Sequence, residues 1–323
     1  NYGNIPQIGK RISRIVQGCT MLGDGDRQTW SNDLLDEVFE AGINTFDHAW
    51  AYGDGQCERA FGNWLNERDV REDIVVVGKG CHPIGDLNRM SPEVIESDIN
   101  DSLERLGVQS IDLWLFHRDD PAVPVGPLID TLNRMVDAGK IQAFGGSNWT
   151  HTRIQEANDF AAGRGLRGFA ASSPHFSLAE QVASPWGDDC ITISGPGNAD
   201  VRAWYAGVDL GVLCWSSLAG GFLSGRFSRA NRDEMAASLP DYTVRSYDSE
   251  DNWCRLERAS ELAAEIGVTV AQLAIAYVLH QPMSTFAVVR ASSTVSIRSN
   301  LGALDVRLSQ RELDWLDLRN DSR

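Results

Sequence analysis

From residue 11 to its end the chain alternates between short apolar runs and amphipathic stretches, and this alternation limits the fold more than any other feature. RIVQGCTML reads as a strand entering a loop. NDLLDEVFEAG then carries Leu34, Leu35, Val38, Phe39 and Ala41 at helical spacing and stops at Gly42. INTFD follows as a strand, a helix is expected over residues 58–65, and DIVVVGK is the next strand. SPEVIESDINDSLERLG opens on a Ser cap with an early Pro and repeats Ile95, Ile99, Leu103 and Leu106 along one side. DLWLFH, IQAFGGSN, GFAASS, LGVLCWSSL and STFAVVRA continue the strands. Between them lie the helical PLIDTLNRMVDAGK, THTRIQEANDFAA and ADVRAWYAG, and the spans 256–265 and 270–279. The stretch 174–196 mixes Pro, Gly and aromatics and reads as an extended loop, 224–250 as a long loop with short helices, and SQRELDWLDL as an outer terminal helix.

Eight such units with no break in composition favour one α/β domain over residues 1–323. We expect a (β/α)8 TIM barrel with an N-terminal extension, long barrel-mouth loops and a C-terminal helix. An open doubly wound sheet is the alternative. Its dinucleotide-binding form uses GxGxxG after the first strand, and GDGDRQTW at 23–30 lacks that spacing. With 42% hydrophobic residues and a formal net charge of −16, the chain has material for a core and no broad basic face for nucleic acid. No apolar run reaches 18 residues and no basic-then-apolar leader follows Asn1, so no membrane partner is expected. Six scattered cysteines without CxxC suggest separate buried thiols, and cytoplasmic localisation is the simplest expectation.

A barrel gathers the carboxyl ends of its strands at one mouth. Asp47 ends INTFD, Lys79 ends DIVVVGK, His117 ends DLWLFH, and Tyr52 follows Asp47 by five residues. Singly, these read as a strand-end cap, a surface lysine, a loop-holding imidazole and a rim aromatic. Together they suit carbonyl reduction, which needs hydride at carbon and a proton at oxygen. A phenol ionises near pH 10, and a neighbouring Lys79 ammonium favours its phenolate. Asp47 holds the lysine, and His117 orients the carbonyl oxygen or relays a proton at low pH. Tyr52 is then the proton donor in reduction and the acceptor in oxidation.

NTFDHAWAYG, Lys79, DLWLFH, GGSN and WSSLAGGFLSGR resemble the aldo-keto reductases over nearly the whole chain, with the family's catalytic Asp, Tyr, Lys and His at Asp47, Tyr52, Lys79 and His117. The resemblance implies a barrel that binds NADPH, or less often NADH, in extended form. It places Ser147 and Asn148 on the nicotinamide carboxamide and Trp215 stacked on the nicotinamide ring. Ser216, Leu218, Gly220 and Gly221 would line the pyrophosphate passage, and Arg290, Ser292 and Asn300 would grip the adenosine end. Trp50 and Arg118 fall on the substrate side. Two positions depart from the pattern: Ser173, in SSPHFSL, stands where Gln is common, and WSSL replaces an aromatic-Ser-Pro-Leu run. Ser296 stands where a second basic residue often grips the coenzyme phosphate, with Arg298 nearby, so NADPH is favoured and NADH is the alternative.

The expected partner is a small carbonyl compound or its alcohol, with a hydroxylated or sugar-derived substrate preferred over an aromatic aldehyde. His175 and the loop around Trp186 are further candidates for the pocket rim. Arg118 reads equally as an ion-pair partner of Asp119, Asp120 or another carboxylate, and His48 and His82 as local hydrogen-bond partners with no metal implied. Two other functions fit less well: a coenzyme-binding regulatory subunit with slow or no turnover, and a lyase or aldolase using Lys79 as a Schiff base.

Overall fold

The computed structural model describes residues 1–85, 87–187 and 189–323. β1 (Tyr2–Gly3) and β2 (Ile12–Ser13) pair antiparallel as a small hairpin ahead of the barrel. The barrel strands are β3 (Ile15–Gly18), β4 (Thr45–Asp47), β5 (Val75–Gly80), β6 (Ile111–Phe116), β7 (Ile141–Ser147), β8 (Ala171–Ser173), β9 (Gly211–Cys214) and β10 (Thr285–Val289). Each pairs in parallel with the next, and β10 closes on β3, so the barrel sheet has no open edge.

The helices are α1 (Gln28–Glu40), α2 (Gln56–Arg68), α3 (Pro92–Leu106), α4 (Val125–Asp137), α5 (His151–Gly163), α6 (Ala199–Ala206), α7 (Arg232–Ser238), α8 (Asp241–Tyr247), α9 (Glu250–Ile266), α10 (Val270–Leu279), α11 (Thr294–Gly302) and α12 (Gln310–Leu316). α2 is longer than the expected 58–65, because left-handed Gly55 and Asp69 set its ends. α3 begins at the expected Ser91 cap and stops at left-handed Gly107. β8 is only the last three residues of GFAASS. The 224–250 stretch folds into a 3-10 turn (Arg229–Asn231) followed by α7 and α8.

Period-two alternation divides the strand residues between two cores. Val16, Val75, Val77, Leu113, Leu115, Ala143, Leu213, Phe286 and Val288 fill the barrel, joined by Ile5 and Ile12 of the hairpin segment, which seals the end where the strands begin. Phe46, Val76, Trp114, Phe116, Phe144 and Val212 face outward and pack with the helices. β7 and β8 approach so closely that a Cβ on Gly145 would lie 2.0 Å from the Ala171 carbonyl oxygen, which explains the first glycine of GGSN.

Two polar knots hold the less regular second half. Buried Asp317, just after α12, lies 3.8 Å from both Arg202 of α6 and Arg255 of α9, and 2.8 Å from Arg319. Arg202 also donates to the carbonyls of Ile193 and Gly195 at 2.7 Å, so one carboxylate joins the chain end, two helices and the 174–196 loop. The second knot is His175. It was expected at the pocket rim, but its side chain is wholly buried between Thr192 Oγ1 (2.8 Å) and the Tyr247 hydroxyl (2.9 Å).

Asp317→Ala leaves buried Arg202 without its carboxylate and Arg255 with Glu180 at 3.6 Å, and is expected to cost about 3 kcal/mol in urea unfolding. Glu96→Gln, which removes only a surface pair with Arg134, should leave the midpoint unchanged. A second expectation concerns acid. Burial holds both His175 and His48 neutral, each pushed down to about 3 from an ordinary 6.5, with Lys79 adding to the effect on His48. Between pH 6.5 and about 3 the unfolded chain therefore binds more protons than the folded one. Stability is greatest above this window and falls as the pH drops through it. Thermal unfolding as a function of pH should show this loss, and His48→Leu should make it shallower.

Candidate active site

The polar residues at the mouth continue the inward-facing rows of the barrel. Lys79 follows Val75 and Val77 on β5, His117 follows Leu113 and Leu115 of β6, and Ser147 and Ser173 end β7 and β8. Asp47 ends β4 with its neighbour Phe46 turned outward. The chain past Asp47 stays pinned to β5, since His48 N–H donates to the Val77 carbonyl and Trp50 N–H to that of Lys79. It then reverses at Tyr52, where Gly53, Asp54 and Gly55 have φ of 56°, 51° and 82°. Two glycines in that left-handed run let the turn return Tyr52 to the mouth.

The four residues meet there. Lys79 Nζ is 2.5 Å from Asp47 Oδ1, with both groups buried. It also lies 5.2 Å from the centre of the half-buried Tyr52 ring. The Tyr52 and His117 rings are 5.7 Å apart, edge to face. Burial on its own would weaken the Lys79 ammonium, but Asp47 and Tyr52 more than offset it and hold the group above its ordinary value. Burial pushes the Tyr52 phenol up, and the Lys79 charge opposes that rise. His117 is driven well below the usual imidazole range, first by burial and then by Lys79, His82 and Arg118. A neutral His117 suits the orienting role and not the low-pH relay. Its Nδ1 is buried without a partner among the described residues.

Around this cluster the expected coenzyme residues divide into groups. Ser147, Asn148 and Ser173 adjoin one another, but their polar atoms are largely engaged. Ser147 Oγ donates to the Ser173 carbonyl at 2.9 Å, and Ser173 Oγ to that of Leu213 at 2.8 Å. Asn148, left-handed at φ 58°, donates to the His117 carbonyl and accepts from Ile191 N–H. Trp215 follows β9 beside His175, ring centres 4.9 Å apart, and its indole N–H is buried without an acceptor among the described residues. Left-handed Ser216 begins the turn past Leu218, in which Gly220 and Gly221 have φ of 62° and 103°. Gly221 N–H already donates to the Leu218 carbonyl, so this glycine is no free backbone donor.

Further round, Arg290 is exposed where β10 ends and makes no ion pair among the described residues. Ser292 is exposed with its N–H on Ser296 Oγ, while Asn300 is buried in α11. Ser296 serves as the third residue of the α11 capping box, and Thr294 donates to Glu37 at 2.6 Å. Of the residues expected on the substrate side, Trp50 has its ring between Arg89 (4.2 Å) and Arg105 (5.2 Å), with its N–H on Asp101. It is a fixed wall whose polar edge is already used. Arg118 is buried and pairs with Asp189 at 2.9 Å, whereas Asp119 pairs with Arg153.

Sequence reasoning did not pick out several contacts. The His82 ring stands 4.6 Å from that of His117, while its Nδ1 bonds the Pro83 carbonyl as expected of a local partner. His48 departs from that expectation, since neither of its ring nitrogens has a partner among the described residues. Half-exposed Trp186 lies 5.4 Å from Trp215 and 5.7 Å from Tyr242 of α8. The sequence distances behind these pairs carry no period, and the reading of the loop around Trp186 as a rim named none of these partners.

The family model described as the aldo/keto reductase family matches residues 14–318. A Bacillus subtilis relative named uncharacterized oxidoreductase YrpG is 27% identical over 98% of this chain and 94% of its own. A probable voltage-gated potassium channel subunit beta of Oryza sativa subsp. japonica is also 27% identical, over 94% and 91%. Versiconal hemiacetal acetate reductase of Aspergillus parasiticus is 25% identical over 98% and 96%. Among solved structures, the thermostable aldo-keto reductase Tm1743 in complex with the inhibitor epalrestat matches in fold, with a TM-score of 0.74 and 20% identity across 99% of this chain and 100% of that one. The closed parallel barrel and a family match spanning nearly its whole length agree: the chain belongs to the aldo/keto reductase family of NAD(P)H-dependent oxidoreductases.

Proposed function

We propose that this protein interconverts an aldehyde or ketone with its alcohol, with Tyr52 exchanging the proton at the carbonyl oxygen. The observation that carries the reading is the buried Lys79–Asp47 pair lying beside the Tyr52 ring, with neutral His117 across from it. Tyr52 keeps its proton until the substrate oxygen gains charge. The Lys79 ammonium then stabilises the phenolate left behind, and Asp47 holds the lysine in place. His117 donates a hydrogen bond that aims the carbonyl. When bound, the nicotinamide supplies or accepts the hydride. Its fit is supported by the Trp215 indole N–H, unpartnered among the described residues, and by the flat Trp215 ring held beside His175.

NADPH is the favoured coenzyme, with Arg290 as the group that meets its extra phosphate. Glu37, beside the first turn of α11, works against that charge, and Ser296 adds none. The preference over NADH should therefore be modest. The potassium channel relative keeps a regulatory role in view, because that protein is named as a subunit and not as a reductase. The assembled tetrad favours turnover. A Schiff base at Lys79 is disfavoured, because the amine is held protonated against Asp47 and is a poor nucleophile in that state.

Tyr52→Phe should lower kcat for carbonyl reduction by about 100-fold or more while leaving coenzyme affinity within about twofold. Loss of affinity in step with turnover would count against its role as proton donor. Fluorescence titrations with NADPH and NADH should show quenching by both, tighter for NADPH by about tenfold or less, and Arg290→Ala should erase most of that difference. Equal affinity in the unaltered protein removes Arg290 from the assignment.

A further inference from the structure

Outside the four clustered residues, the cation that adjoins His117 has an unusual partner. Arg118 directly follows His117, donates from Nη1 to the His117 carbonyl at 3.0 Å, and keeps a side chain only 8% exposed. A buried guanidinium needs an anion. Among the described residues its one ion-pair partner is Asp189, through Nε at 2.9 Å, and the Asp189 side chain is 44% exposed on the loop over the mouth. The carboxylates nearer in sequence are engaged elsewhere. Asp119 is held by Arg153, and Asp120 accepts from Asn88 and from Ala122 N–H.

The loop also touches the mouth beside this pair. Ile191 N–H donates to Asn148, whose amide group in turn donates to the His117 carbonyl, so the Asp189–Ile191 segment lies against the ends of β6 and β7. A half-exposed loop carboxylate thus sits on a buried cation that adjoins the carbonyl-orienting histidine. The protein as a whole carries a net charge of −16, a field that opposes an anion at the mouth unless a local positive group receives it.

We propose that Arg118 is the counter-charge for a carbonyl substrate that bears a carboxylate, and that Asp189 occupies the guanidinium until such a substrate replaces it. The inference rests on the reductase reading and adds the substrate class. Arg118 is then the specificity-determining residue, and Asp189 is the internal competitor that sets how strongly an anionic substrate must bind. The planar guanidinium suits either carboxylate equally, so the exchange keeps the buried charge compensated at each stage.

The test compares ω-oxo acids from 4-oxobutanoate to 6-oxohexanoate with the neutral aldehydes of the same chain length, using the coenzyme that the titrations find bound. The unaltered protein should favour the acids in kcat/KM by about tenfold or more, chiefly through KM. Arg118→Gln should abolish that ratio, and Asp189→Asn should raise it about threefold or more by removing the competitor. Because Asp189 lies on the loop, D189N decides the matter even where the buried Arg118 variant fails to fold. Turnover of the neutral aldehydes with no preference for the acids, and a ratio unmoved by D189N, overturns this inference and leaves the reductase reading standing. No turnover of either series by protein with bound coenzyme overturns both.

Discussion

Closure of eight parallel strands into one ring is the constraint on which the site depends. It removes sheet edges, and it forces every second side chain toward a common axis. Low in the barrel that axis is filled by valine, leucine, alanine and phenylalanine. At the top the same rows end in Asp47, Lys79, His117, Ser147 and Ser173, so the polar residues need no separate scaffold. A carboxylate and an ammonium can sit buried there because each neutralises the other at 2.5 Å. That pairing in turn fixes a positive charge beside a phenol that burial pushes up, and the charge opposes that rise.

Much of this was legible in the sequence because it is local. The Ser91 cap, the span of α10, the end of INTFD and the glycines around Tyr52 all act within a few residues, and period-two alternation carried Lys79 and His117 to the inner face. The family resemblance supplied the four candidate positions, and the barrel supplies their proximity. What remained hidden depends on distant partners. Nothing near Arg118 in the sequence points to Asp189, 71 residues on, in preference to the adjacent Asp119. His175 sits among polar and aromatic neighbours that read as a rim, yet Tyr247 of α8 and Thr192 bury it.

The irregular segments therefore deserve as much weight as the barrel. The 174–196 loop is fastened from below by Arg202 and from the side by Tyr247 through His175, and its outer part meets Arg118, Asn148 and Trp215. The rigid strand ends position the chemistry, and this fastened loop brings distant chain to the groups that would select a substrate. Left-handed Asn148, Ser216 and Ala219 all lie just past strands on this side of the barrel. Such backbone is costly for residues other than glycine and is kept where surrounding structure holds it.

The hairpin at the start of the chain has a practical consequence. Tyr2 and Gly3 pair with Ser13 and Ile12 at the end of the barrel opposite the mouth, where Ile5 packs against the first residue of β9. A surface support attached through the β1–β2 hairpin would hold the molecule by its sealed floor. The mouth would then face the bulk solution, an orientation suited to immobilised use or to surface-based detection of ligand binding.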